Sequence, residues 1–181
     1  LHGIPNGCTS SCHLAETAEW AIQKMDLWYP DRSKVKAMRA DIFTLARKRD
    51  PVAIDLLISL LRDKTSNRVI RGSAAGFLGE FQGKKVADAL IWALADSEIM
   101  VRAEAARSLS EVRQDSARES LTKLLSDPNR VVRVNAFFAL VKMGILELPD
   151  PAKDDFERVR GEFETFLTDF PDVYSIRLNL A

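Results

Sequence analysis

Between Val69 and Leu140 one pattern is written three times. Val69-Ile70-Arg71, Met100-Val101-Arg102 and Val131-Val132-Arg133 set an arginine at a constant interval of 31 residues. An Ala follows each Arg at three residues (Ala74, Ala105, Ala136) and a Leu at seven (Leu78, Leu109, Leu140). Ahead of each lies a Leu-rich segment ending in Asp63, Asp96 or Asp127, with leucines six and two positions before the Asp (Leu57 and Leu61, Leu90 and Leu94, Leu121 and Leu125). A fixed period in the range of roughly 20–50 residues marks stacked supersecondary units, none of which buries its apolar face alone. The chain is therefore expected to be all-α, a stack of helix pairs.

The remaining sequence fits around that array. Residues 1–13 read as an irregular lead-in rich in Gly, Pro and Asn. Residues 14–50 read as an N-terminal helical cap. Leu14, Ala18, Ala21, Ile22, Met25 and Trp28 recur at helical spacing, Pro30-Asp31 breaks the run, and Ser33 is placed to cap a second helix carrying Val35, Met38, Ile42 and Leu45. Met25 and Met38 are expected in the core. Residues 51–145 hold the three repeats, with a two-residue insertion between Asp63 and Arg71, and with Gly83 and Gly144 where second helices should end. Residues 146–181 begin at the breaker Leu148-Pro149-Asp150-Pro151. They continue as a helix with Phe156, Val159, Phe163, Phe166 and Leu167 on one face, and Asp172–Ala181 starts a further element.

The motif L-x-x-x-L-x-D…V-R-x-x-A-x-x-x-L resembles the HEAT repeats, in the short form found in phycobilin-lyase-like proteins. The resemblance implies a right-handed α-solenoid that grips protein partners, and implies structural roles for Asp63, Asp96, Asp127, Arg71, Arg102 and Arg133, pairing between helices and satisfying helix-terminal groups.

The two cysteines of the chain, Cys8 and Cys12, are followed at once by His13; the only other histidine is His2. Cys8-Thr9-Ser10-Ser11-Cys12-His13 is one residue longer than the C-x-x-C-H haem-attachment motif, in which two thiols bind the haem vinyl groups and the His ligates iron. Pro5–His13, the Ala18-Glu19-Trp20-Ala21 that follows, and the repeats beyond resemble the C-terminal portion of multihaem c-type cytochromes, where a haem site leads into a HEAT array and often on to tetratricopeptide repeats. Ile176–Ala181 is like the start of such a repeat. The resemblance implies one haem c on Cys8, Cys12 and His13 and an exported, periplasmic-type location; by ligand chemistry a sixth ligand would be His2 or Met25. Trp20 and Trp28 then either pack on a haem face or fill the cap. Two other readings stand beside it: a Cys8–Cys12 disulfide or plain thiols in a haem-free docking subunit, and a metal site of Cys and His that lacks the paired spacing of zinc fingers.

Charge narrows the partners. The 26 basic and 26 acidic residues balance, which offers no global field toward nucleic acid or an anionic membrane, and no apolar run has the length of a membrane span. Locally, residues 32–49 are basic (Arg32, Lys34, Lys36, Arg39, Arg47, Lys48, Arg49) and residues 150–172 acidic, which suggests head-to-tail self-association. The first residue is Leu1, so either a secretory signal has been removed or this is part of a longer chain. With no nucleophilic triad, phosphate loop or carboxylate pair, the expectation is a non-enzymatic scaffold of a redox system, docking a redox enzyme or cytochrome.

Overall fold

The computed structural model describes residues 7–169, and the side chains among them except those of 31–37, 166 and 169. His2, the Asp172–Ala181 segment and the side chains of Arg32, Lys34, Lys36 and Val35 lie outside that description. Helix accounts for 73% and no strand occurs among the described residues. The helices are α1 (Ala18–Trp28), α2 (Pro30–Arg47), α3 (Ala53–Arg62), α4 (Arg68–Leu78), α5 (Lys84–Ala93), α6 (Ile99–Val112), α7 (Arg118–Lys123), α8 (Arg130–Lys142) and α9 (Lys153–Asp169).

The threefold pattern is the core itself. Leu57, Leu61, Ala74, Leu78, Leu90, Ala105, Leu109, Leu121, Leu125, Ala136 and Leu140 are all wholly inaccessible. The first helix of each pair (α3, α5, α7) forms an outer row and the second (α4, α6, α8) an inner row. The inner helices pack on one another far more closely than the outer ones do, and this difference is what curves an α-solenoid. α9 closes the C-terminal end with Phe156 and Phe163 against Phe137 of α8, ring centroids 4.9 and 5.6 Å apart.

Helix ends follow local chemistry. Asn67 caps α4 by accepting from the Ile70 N–H at 3.0 Å. α8 ends in a Schellman motif: Gly144, at φ +82°, donates to the Val141 carbonyl and Ile145 to that of Leu140. α2 ends the same way with Arg49 in the left-handed position, its N–H on the Ala46 carbonyl and that of Asp50 on the Leu45 carbonyl.

Several expectations are corrected. α4 stops at Leu78, and Gly83, at φ +112°, instead opens α5 as its N-cap. α2 begins at Pro30, whose fixed φ suits the first turn, so Ser33 lies inside the helix. The outer helix of the third repeat is broken into two 3₁₀ turns, Asp115–Ala117 and Leu124–Ser126, around α7. The lead-in is not wholly irregular, because Cys8–Cys12 forms one turn of π-helix. α1 starts at Ala18 rather than Leu14. Trp28 and Met38 are not core: they are 63% and 56% exposed, while Trp20 and Met25 are half-buried.

Glycines stand at 72 and 76 in α4 and at 79 just past its end, and packing enforces only the last. A Cβ on Gly79 would come within 2.9 Å of the Ser108 Cβ, whereas on Gly76 it would meet only the tips of Glu104 and Arg107, at 3.3 and 3.4 Å. Gly79→Ala is expected to cost about 1–3 kcal/mol by overpacking. Gly76→Ala should be neutral or stabilise by up to about 1 kcal/mol through helix propensity. Urea midpoints of the two variants read the difference.

Candidate functional site

The repeated Asp and Arg residues build a ladder, and its pairing is staggered by one repeat. Arg71 Nη2 donates to Asp96 Oδ2, not to Asp63 of its own pair. Arg102 Nε reaches Asp127 Oδ2 at 2.8 Å. Arg133 grips Glu162 of α9 through both carboxylate oxygens at 2.9 Å. Each arginine also donates backward into its own repeat: Arg71 to the Leu61 carbonyl at 3.1 Å, Arg102 to that of Asp96 at 2.7 Å, Arg133 to that of Asp127 at 2.9 Å. The Leu61 carbonyl lies in the last turn of α3, without an intrahelical partner, and the other two belong to the turns that join the paired helices.

Each aspartate likewise has two tasks. One oxygen closes the inter-helix turn by accepting the N–H two residues on: Thr65 for Asp63, Glu98 for Asp96, Asn129 for Asp127, at 2.8–2.9 Å. The other oxygen faces the preceding repeat. Asp63 has no ladder arginine there. Its Oδ2 accepts from Ser66 Oγ at 2.6 Å, and Arg39 of α2 donates to that hydroxyl at 2.9 Å. Arg39 thus stands in the arginine position of a degenerate preceding repeat. Its signature is hidden because Ile42 and Ala46, both buried, replace the Ala and Leu at three and seven residues on. Lys64, from the two-residue insertion, adds a second cation to Asp96 at 2.5 Å.

The side chains of Arg71 and Asp96 are 3% and 0% exposed. Burial pushes the Asp96 carboxyl up, but Lys64, the Glu98 N–H and Arg71 outweigh it and hold the group below the ordinary carboxylate range. Ser66 and Thr65 pull Asp63 down to about 2.

Cys8 and Cys12 are both exposed free thiols. The His13 N–H donates to the Cys8 carbonyl at 2.7 Å, an i→i+5 bond, and Ser11 Oγ donates to the Gly7 carbonyl at 3.1 Å. An i→i+5 bond widens the turn to rather more than four residues, so positions 8 and 12 fall on the same side of it. The extra residue relative to C-x-x-C-H is absorbed there. Thr17 caps α1 through the Trp20 N–H at 3.2 Å, and the His13 ring packs on Trp20 with centroids 4.8 Å apart. Met25 lies farther along α1. Of the described residues in α1 only Ala21 is buried, and Leu14, before the helix, is 74% exposed. Two thiols, an adjacent imidazole and uncovered apolar surface are a donor set and setting that fit a covalently held haem.

Some of the charges at the two ends are engaged within the chain. Arg49 pairs with Glu80, Arg47 stacks over Phe77, and in α9 Asp155, Glu157 and Glu162 pair with Arg158 or Arg160. Among the described residues no helix is long and apolar enough to cross a membrane.

Family comparisons agree with the repeat geometry. The profile for HEAT repeats matches residues 87–158, and that for the PBS lyase HEAT-like repeat matches residues 70–96. Residues 70–158 thus match HEAT-repeat profiles, on helices stacked as an α-solenoid. No curated protein matches the chain significantly.

Arg71→Met takes the buried cation from Asp96, leaving it only the half-exposed Lys64, and is expected to cost about 3–5 kcal/mol, while Arg71→Met/Asp96→Asn, which keeps an acceptor for the Glu98 N–H, should recover part of the loss. Chemical denaturation of the single and double variants measures this. The lowered carboxyls mean that the unfolded chain takes up protons first. Stability is therefore full above the unfolded carboxyl value of about 4 and declines as the pH falls below it, for Asp63 down to about 2. Asp63→Asn should flatten that part of an acid-unfolding profile.

Proposed function

We propose that this protein is a non-enzymatic interaction scaffold of an exported electron-transfer system, with one haem c at its N-terminal end. The repeats supply the scaffold. Val69, Met100 and Val131, one per repeat at the 31-residue interval, are all exposed on the inner helices and form an apolar row for a protein partner such as a redox enzyme or cytochrome.

The observation that carries the redox part is the π turn at Cys8–His13 beside uncovered apolar surface. Cys8 and Cys12 would hold haem through thioethers and His13 would ligate its iron. Trp20 supports the imidazole, and Leu14 offers apolar cover. Haem held this way supplies one-electron transfer. His2 or Met25 completes the coordination in this reading. The second reading, a haem-free docking subunit with Cys8–Cys12 as disulfide or thiols, draws on the fact that the ladder and the apolar row are complete without residues 8–13.

Expression in an exported compartment with the haem-ligation machinery is expected to give a reducible Soret band and an intact mass larger by one haem. Both should vanish in Cys8→Ala/Cys12→Ala. A mass equal to the bare chain would overturn the haem assignment, and one lower by two hydrogens would establish the disulfide.

A further inference from the structure

His13 is exposed, and among the described residues neither nitrogen of its imidazole is hydrogen-bonded. What restrains the side chain is the indole of Trp20, with ring centroids 4.8 Å apart and planes inclined at 47°. Local contacts bring the two rings together. The Glu16 N–H donates to the His13 carbonyl at 3.0 Å, a turn that reverses the chain directly after the cysteine motif. Thr17 then caps α1: its backbone is extended and its Oγ1 accepts the Trp20 N–H at 3.2 Å. Lys24, one helical turn beyond Trp20, lies over the indole with Nζ 5.9 Å from the ring centroid.

These contacts act in sequence. The Thr17 hydroxyl satisfies one of the N–H groups that open a helix, and so fixes the backbone that carries Trp20. Trp20, half-buried, is in turn a rigid platform with only two side-chain torsions. The imidazole rests on it through the ring, which leaves both nitrogens available to a ligand. An exposed histidine on a single turn otherwise samples several rotamers, and immobilising such a side chain on ligation costs on the order of two- to tenfold in affinity.

We propose that Thr17 and Trp20 are positioning residues for His13, holding its imidazole in place before it meets iron. Trp20 touches the ligand residue, Thr17 acts through Trp20, and neither is itself a ligand. The purpose of the arrangement rests on the haem reading; the placement of His13 is a property of the chain without haem.

Proton NMR of the full chain without haem, with its thiols kept reduced, tests the placement. The chain has only two histidines, His2 and His13, and His2→Gln assigns them. The His13 ring protons should stand displaced from free-histidine shifts by the indole ring current. Trp20→Leu should return them to those shifts, and Trp20→Phe should keep a smaller displacement. Thr17→Val keeps the shape of the side chain without its acceptor and should reduce the displacement, whereas Thr17→Ser should retain it. Trp28→Leu, at the exposed end of α1, should change nothing. In the haem-bearing chain, Trp20→Leu and Thr17→Val should broaden the ferric EPR signal as the imidazole takes several orientations, and Thr17→Ser should not. Free-histidine shifts in the wild type, no effect of Trp20→Leu, identical spectra for Thr17→Val and Thr17→Ser, or equal EPR line widths in all variants would each overturn the proposal. A mass without haem would overturn the haem reading and not the placement of His13, which the haem-free spectra decide.

Discussion

The arginine that reaches from one repeat to the aspartate of the next is the contact on which the rest of the structure depends. Leucine and alanine faces bury surface but fix register poorly, since one apolar ridge can slide along another. Arg71 cannot slide. It sits almost without solvent between the Leu61 carbonyl and Asp96, and any shift would leave a buried charge unpaired at a cost of several kcal/mol. A planar guanidinium suits the task because its donors diverge, serving a carbonyl of its own repeat and a carboxylate of the next at once. Asp96 and Asp127 are equally committed, each closing a turn with one oxygen and meeting the previous repeat with the other.

A ladder of this kind needs termini, and the chain supplies them by different chemistry. At the C-terminal end Glu162 of α9 takes the place of the next aspartate. At the N-terminal end Asp63 is satisfied by Ser66 and Thr65, with Arg39 behind the Ser66 hydroxyl. The inner row is therefore closed at both ends by the chain itself. The outer row is not: among the described residues α1 packs on α2, with no comparable contact to α3. What the scaffold shows to other molecules follows from this. It presents an apolar row along the inner helices, the thiol-bearing turn, and an uncovered first outer helix.

The repeated positions were legible because a stacked fold uses the same positions for the same purpose. Leu57, Leu90 and Leu121, or Ala74, Ala105 and Ala136, could be recognised as core by their interval alone. Arg39 escaped because its flanking residues are exchanged in size. Glu162 escaped because it is a glutamate outside the 31-residue spacing. Gly83 was misplaced because a glycine opening a helix looks, in sequence, like one ending the helix before. Trp28 and Met38 have helical spacing and apolar character, yet nothing in periodicity shows whether a neighbouring element comes to cover them. At the candidate site the thiols and imidazole were readable as a spaced motif, but the π turn that brings positions 8 and 12 to one side was not.

The sequence by itself determined the repeat, its period and the identity of its buried face, since these depend on residue type at fixed intervals. Only the tertiary structure decided which aspartate each arginine meets, how the ladder ends, and which helix the array leaves uncovered. Those outcomes depend on the rise from one repeat to the next and on which helices come to pack together. Both are relations in space, which the order of residues does not record.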